Sequence, residues 1–361
     1  MRNLGLSIYP SLSGEEQIRE YLQTGKRWGF QHLFTCLRAS GIQQPGGKEK
    51  FARLLAYAHS LGYTVSCDVN HFLMEEAFGH AMELREIREL GIDRIRFDYG
   101  YSAEQIAEWS NHREGLLFEL NMSGSKFALP HLWELGGNLH AFVGCHNFYP
   151  LRNTGLSYEQ FKERNRLYKS YGIATAAFLG PADSHLFCVW PEAEGVVTLE
   201  ESRDWSLSGQ LAALFSDPFL DQAIVGNCFI NEEECRVLSL LLDDFPHLPW
   251  IPSPGLPSSW LSFLNEESFQ RRLDGAEDWI RCSQSRGRLD VGTDQEFLPT
   301  KIEVGDVLLA GPRSGHYSGE LFIAGKHQEN PGFYYKIGTL EYSSMVNWIQ
   351  PGQSFRLYRE K

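Results

Sequence analysis

The stretch Ile92 to Ser123, IDRIRFDYGYSAEQIAEWSNHREGLLFELNMS, decides the fold. It reads as strand, helix, strand, and it puts polar side chains where a buried strand is normally apolar. Strand side chains alternate with period two. Arg94, Arg96 and Asp98 therefore share one face of the first strand, and Leu117, Glu119 and Asn121 share one face of the second. In parallel neighbours, Asp98 and Asn121 lie near the strand exits, with Arg96 and Glu119 one layer deeper. A buried charge is costly unless paired, so the parity predicts an Arg96 to Glu119 ion pair. Carboxylates at the exits of parallel strands are also where α/β barrels keep their chemistry.

The same alternation extends outward in both directions. Before this unit, strands are expected at Leu4 to Tyr9, Phe30 to Leu37 and Tyr63 to Val69. The intervening helices run from a Ser13/Glu16 capping box to Trp28, from Gly47 to Leu61 and from Phe72 to Leu90, with Gly29, Gly62 and Gly91 as stops. After it come a short helix near Phe127 to Leu135, a strand at Leu139 to Cys145, a helix capped by Ser157, and a strand at Ile173 to Leu179. A long loop, Gly180 to Val197, precedes a helix over Leu199 to Phe215, a strand at Asp221 to Gly226 and a helix from Asn231 to Asp243. Long loops in compact domains are usually functional. Eight strand-helix units in roughly 245 residues match a (β/α)8 TIM barrel, whereas an open doubly wound sheet rarely reaches eight uninterrupted repeats.

Phe245 to Trp260, FPHLPWIPSPGLPSSW, holds five prolines and is expected to be a linker. Beyond it, short strands are expected at Thr300 to Glu303, Asp306 to Ala310, Gly319 to Ala324, Gly332 to Leu340 and Ser354 to Tyr358. The chain thus divides into a barrel over 1–245 and a small β-rich domain over 246–361, an α/β protein overall.

Composition narrows the partners. Among 361 residues, 33 Lys and Arg against 46 Asp and Glu give a formal charge of -13, which argues against sequence-independent attraction to nucleic acid or anionic lipid. The seven cysteines include no C-x-x-C pair and read as reduced, buried thiols. No signal peptide and no bilayer-spanning run is evident, so a cytoplasmic location is expected.

Asp68, Asp98, Asn121, His146, Asn147, Tyr149, Asp183 and Glu200 all fall at strand exits or in the loops after them. Asp98 stands out because Gly100 lets a ligand approach closely. Glu119 is either a buried partner for Arg96 or a carboxylic acid with a raised pKa. No expected strand ends in a lysine, which removes Schiff-base chemistry. The histidines are isolated, leaving Asp98 with His146 as the one weak metal pairing. Neither G-x-G-x-x-G nor G-x-x-x-x-G-K-[ST] occurs, so no nucleotide cofactor is implied. Acid-base or nucleophilic work by carboxylates on a sugar is what remains.

The segments GLSIYP (Gly5 to Pro10), IRFDYG (Ile95 to Gly100), FELNMS (Phe118 to Ser123), CHNFYP with TGLS (Cys145 to Pro150, Thr154 to Ser157), TLE (Thr198 to Glu200), GDV (Gly305 to Val307) and YSGEL (Tyr317 to Leu321) resemble a bacterial family. That family joins an N-terminal TIM barrel to a C-terminal cyclophilin-like β-domain and includes the 6-phospho-N-acetylmuramidases of cell-wall recycling. The resemblance implies a cytoplasmic glycoside hydrolase that splits 6-phospho-N-acetylmuramic acid from N-acetylglucosamine, and from the missing motifs no cofactor or metal is expected. The chain departs from the family pattern at Leu151 to Asn153, at Ser184 to Trp190, at Ser202 and at His316.

On this reading Asp98 and Glu119 are the reacting carboxylates, with Asp68 or Glu200 as the substitute acid should Arg96 hold Glu119 ionised. Adjacent strands lie about 4.8 Å apart, which favours the retaining separation of about 5 to 5.5 Å. Asp68, Asn121, His146, Asn147, Tyr149, Arg152 and Glu200 are expected to bind the phosphorylated sugar, with Tyr317 and Glu320 contributed by the second domain. Backbone amides near Gly180 and Gly226 are expected to help Arg152 hold the phosphate. The rival reading is a phosphosugar sensor that has kept the cleft and lost the chemistry.

Overall fold

The computed structural model of the chain describes residues 2–78, 83–124, 129–181, 194–292 and 298–360, with side chains at all of these except 76–78 and 98–99. Two compact units emerge, Met1–Gln210 with Phe219–Leu242, and Leu211–Pro218 with Asp243–Lys361.

In the first unit eight parallel strands close on themselves: β1 (Asn3–Ser7), β2 (His32–Cys36), β3 (Thr64–Asn70), β4 (Arg94–Tyr99), β5 (Leu117–Asn121), β6 (Phe142–Cys145), β7 (Thr175–Leu179) and β8 (Gln222–Val225). Every neighbour is the next strand in sequence, and β8 returns to β1 through Asn3↔Gln222. This is the TIM-type closure that the eight repeats predict. The helices between them include α1 (Glu15–Arg27), α2 (Gly47–Ser60), α3 (His71–Phe78), α4 (Leu84–Leu90), α5 (Ala103–Trp109), α6 (Leu129–Glu134), α7 (Tyr158–Ser170), α8 (Leu207–Phe215) and α9 (Glu232–Leu240). α1 buries Ile18, Tyr21, Leu22 and Gly25, one face at helical spacing, against the strands.

Local chemistry places the helix starts. Ser102, Ser157 and Asn231 each close a capping box, with Gln105, Gln160 and Glu234 respectively. The Ser13 box does not form. α1 is capped by Gly14 in extended conformation, and the Ser13 hydroxyl donates instead to the Tyr9 carbonyl at 3.3 Å. The helix expected over 72–90 is divided between α3 and α4. That expected over 199–215 is a short 3-10 turn, Glu200–Ser202, followed by α8.

In the second unit, a mixed, nearly closed sheet runs in the order β10 (Ser268–Gln270), β17 (Ser354–Tyr358), β9 (His247–Pro252), β16 (Tyr334–Leu340), β13 (Asp306–Ala310), β14 (Leu321–Ala324), β11 (Trp279–Cys282). A separate ribbon pairs β12 (Lys301–Ile302) with β15 (Gln328–Glu329).

The proline-rich linker is thereby corrected: β9 lies inside the sheet, and α10 (Ser258–Glu266) follows it. β9 tolerates its prolines because it changes partner halfway along. His247 to Pro249 face β17, and Trp250 to Pro252 face β16. Prolines lack an N–H but keep an acceptor. The carbonyls of Pro246 and Pro249 accept from Arg356 and Glu341 at 3.0 and 2.9 Å, so these positions serve the sheet through their oxygens.

Candidate active site

The register across three barrel strands sets one inward layer. Asp68 on β3 pairs with Arg96 on β4, and Arg96 pairs with Glu119 on β5. A guanidinium is thus flanked in the ladder by a carboxylate on each side. Arg96 Nη1 lies 3.0 Å from Glu119 Oε1, and both side chains are almost wholly buried. The second Glu119 oxygen accepts from Ser66 Oγ at 2.8 Å. Arg96 also donates to the carbonyls of Cys145 and His146 and to Asn147 Oδ1. Burial acts to lower the Arg96 pKa, but the neighbouring Cys145, Glu119 and Asp68 outweigh it, and the guanidinium stays charged. The expected ion pair is present, inside the barrel.

Above this layer, at the C-terminal strand ends, a cavity of about 190 Å3 opens. Arg38, Asp68, Asn70, Arg96 and Asn147 give it polar walls, and Phe34 and Phe148 give it aromatic ones. Phe34, Phe148 and Phe178 pack edge to face, with centroids 5.0 to 6.4 Å apart, which ties these walls to the barrel core. Glu119 does not reach this cavity, since Arg96 lines it in Glu119's place.

Asp98 sits at a break in the ladder. Val69 pairs with Phe97 but Asn70 pairs with Tyr99, so the register slips by one residue at Asp98. Extra residues of this kind re-aim side chains and recur beside active sites. The Asp98 side chain lies outside the described residues, as do Asp183 and the loop 184–190.

Other expected ligands hold the loops together. His146 is fully buried, with Nε2 3.1 Å from Asn165 Oδ1 and Nδ1 3.2 Å from Ser123 Oγ. Burial pushes its pKa down to about 3, so the ring is neutral and both nitrogens are engaged. Of the weak metal pairing, the His146 imidazole is engaged on both sides and the Asp98 side chain lies outside the described residues. Asn121 Oδ1 accepts from the Ser123 amide at 3.1 Å. Asn147 presents its side chain to the cavity while its amide and carbonyl bond to Ser123 and Thr198. Tyr149 is half-buried, and its backbone pairs with Val197.

Glu200 is clasped. Its oxygens accept from Arg203 Nε and Nη2 at 2.9 and 2.6 Å, and from the amides of Asn153 and Gly155 at 2.8 and 2.7 Å. The Arg203 hydrogen bond leads the causes that hold its pKa down to about 2. A carboxylate held this acidic is ionised near neutrality, which weighs against Glu200 as the substitute acid. Arg203, itself buried, also donates to the carbonyls of Tyr149, Leu151, Glu194 and Gly195 and thus ties together the loops that follow β6 and β7. Sequence reasoning missed this role, although the Glu200 to Arg203 spacing of i, i+3 was its signal.

Arg152 is exposed and forms a two-pronged pair with Asp204 at 2.6 and 2.9 Å. The Gly180 amide donates to Gln210 Oε1 and the Gly226 amide to the Leu179 carbonyl, so these two amides are engaged within the chain, and residues 182–193 of the loop after Gly180 lie outside the described residues. Arg38, just past β2, lines the cavity and carried no motif that would have singled it out. Within the second domain, Glu320 is fully buried between Arg281 Nε at 3.1 Å and Arg286 Nε at 2.7 Å. Tyr317 is exposed, with the two guanidiniums 5.4 and 4.9 Å from its ring centroid. Among the described residues no group of three or more His, Cys, Asp or Glu is placed to hold a metal ion, and no helix is long and apolar enough to cross a membrane. The six described cysteines are buried and none of them forms a disulfide with another.

Comparison with known proteins agrees with this architecture. A B. cereus protein, whose crystal structure is described as that of an uncharacterized protein, is 28% identical over 99% of both chains with a TM-score of 0.84. A conserved Enterococcus faecalis protein of unknown function shares the fold at 23% identity, covering 99% of this chain and 96% of its own, with a TM-score of 0.69. No curated protein matches the chain. Residues 4–240 match the family described as 6-phospho-N-acetylmuramidase, N-terminal, and residues 253–358 match 6-phospho-N-acetylmuramidase, C-terminal. With both halves matched in order, the chain belongs to the 6-phospho-N-acetylmuramidase family.

Proposed function

We propose that the protein is a glycosidase that hydrolyses the bond between 6-phospho-N-acetylmuramic acid and N-acetylglucosamine, a cytoplasmic step of cell-wall recycling. The observation that carries this reading is the family match across both domains, and the cavity at the barrel mouth supports it with a carboxylate, cations and aromatic walls.

The reacting carboxylates in this proposal are Asp98 and Asp68, on neighbouring strands. One protonates the glycosidic oxygen as the bond to the anomeric carbon breaks. The other activates the group that attacks that carbon: a water, or the substrate's own N-acetyl oxygen, after which water completes hydrolysis. Glu119 becomes a positioning residue, because its ion pair with Arg96 occupies it and Arg96 in turn orients Asn147. Asn147 and Asn70 bind sugar hydroxyls, and Arg38 faces the substrate's negative charge. Asn121, His146, Tyr149 and Glu200 serve the site by fixing its loops.

The test is to incubate the purified chain with the 6-phosphorylated disaccharide and follow release of N-acetylglucosamine. Turnover that falls about 10²- to 10⁴-fold in folded Asp98→Asn and Asp68→Asn supports the assignment. Binding without turnover in the parent chain would reject hydrolysis and establish the sensor reading.

A further inference from the structure

The C-terminal domain holds a second cavity, of about 460 Å3, within the range of about 300–1,000 Å3 in which small-molecule sites lie. Trp279, Phe322 and Tyr334 build its aromatic wall, with ring centroids 5.0 to 5.5 Å apart. They pack on the core of Ile302, Leu308, Ala310 and Ala324, so the wall is fixed in place.

Two arginines line the cavity with this wall, Arg281, whose guanidinium lies 5.6 Å from the Phe322 ring centroid, and Arg313. Arg281 is pinned through Nε by the fully buried Glu320, and among the described residues none accepts from its Nη1 or Nη2. Arg313 lies 5.8 Å from the Phe333 ring centroid and has no hydrogen-bond acceptor among the described residues. Glu320 also holds Arg286, whose guanidinium lies 4.9 Å from the ring centroid of Tyr317. With Arg272 and Asp274, which pair with each other beside them, four arginines stand against two carboxylates, so this region is positive inside a chain whose net charge is -13. Among the described residues no carboxylate lines the cavity, so the lining they supply is one that binds.

We propose that this cavity is a binding site for an anionic sugar, with a pyranose face stacked on Trp279 and Tyr334 and its phosphate or carboxylate held by Arg281 and Arg313. The charge follows from the arginines alone, and the choice of a sugar rests on the hydrolase reading above. The buried Glu320 is a positioning residue that presets Arg281. Rigid aromatic faces and preset donors lower the cost of ordering on binding.

The test uses the full chain labelled with 5-fluorotryptophan, in which the Trp279 resonance is identified by its loss in Trp279→Phe. Titration with N-acetylglucosamine 6-phosphate is expected to shift that resonance saturably, and Arg313→Gln, a change at an exposed side chain, should weaken the response about tenfold. N-acetylglucosamine without phosphate should need about tenfold more ligand or fail to saturate. A Trp279 resonance unmoved at about 10 mM probe, a weak limit for a specific site, overturns the proposal. An equal response to the uncharged sugar overturns it too, as does an equal response to inorganic phosphate or to an acidic peptide. Disaccharide cleavage is assayed on the same preparation. Cleavage with a silent Trp279 would reject the site and keep the hydrolase, and a saturable Trp279 shift without cleavage would do the reverse.

Discussion

Arg96 and Glu119 face each other across adjacent barrel strands, 3.0 Å between Nη1 and Oε1, and only Arg96 reaches the cavity at the mouth. Glu119→Gln leaves that guanidinium buried with its directly hydrogen-bonded carboxylate removed and Asp68 as the flanking carboxylate that remains. Breaking a buried pair from one side costs about 3–5 kcal/mol, and urea unfolding should show a loss of that order. Because Glu119 acts through Arg96, the folded variant should keep its kcat within about tenfold, with the change falling on KM. Loss of a general acid costs about 10²- to 10⁴-fold, so a kcat decrease of that size, with stability intact, would return Glu119 to the reacting groups.

Buried histidines set the acid limit of the fold. The pKa of His146 is pushed down to about 3 by burial, and that of His32 is also held well below its ordinary value by burial. When the folded pKa lies below the unfolded one, the unfolded state binds the proton first. Stability from neutral burial is therefore full above about pH 6.5 and is lost as pH falls towards the folded pKa, by about 1.4 kcal/mol per unit for each histidine. Denaturation midpoints measured between pH 7 and pH 5 should fall steeply. His146→Gln, which can still reach Asn165, should flatten the slope by about one proton's worth. An unchanged slope would mean that His146 is protonated in the folded state.

Glu200 and Arg203 act on the loops around the mouth. The Glu200 pKa is depressed to about 2, chiefly by the Arg203 hydrogen bond, so its contribution is present above the unfolded carboxyl range and disappears as pH falls from about 5 towards 2. At neutral pH, Glu200→Gln should loosen the loop 151–155 while the barrel strands hold. Hydrogen exchange read by mass spectrometry would show faster exchange at Asn153 and Gly155, whose amides the carboxylate now accepts. Uniformly faster exchange through the strands would instead mark Glu200 as part of global stability.

The barrel was legible because each strand carries its own alternation and each glycine stop falls on schedule. The Arg96 to Glu119 pair needed only parity and the cost of an unpaired buried charge. Physical features that no single stretch encodes were lost. The slip at Asp98 arises from the ladder between β3 and β4, which residue counting along β4 alone does not reveal. Prolines in 245–260 suggested a break because their missing donors were visible, whereas the change of partner that makes them tolerable belongs to the sheet. Arg38 resembles any exposed loop arginine until the cavity is present beside it.

Arg38 and Arg152 offer competing answers to where the substrate's phosphate is held. Arg152 follows the HNFYP segment but is exposed and already paired with Asp204 through two nitrogens, so a phosphate would have to displace a carboxylate in open solvent. Arg38, also exposed, borders the cavity that Asp68, Asn70 and Asn147 line, so a charge-assisted bond from it would meet a sugar already held by those groups. Arg38→Ala should therefore raise KM for the phosphorylated disaccharide by about tenfold or more and leave an unphosphorylated analogue nearly unaffected, since a hydrogen bond to a charged group is worth about 1.5–3 kcal/mol. Arg152→Ala should change both substrates alike and by less, acting through the loop that it helps to hold. The measurement is a paired KM series for the two substrates with each variant. If Arg152→Ala discriminates between them and Arg38→Ala does not, the phosphate belongs to Arg152, and the ion pair with Asp204 must open when substrate binds.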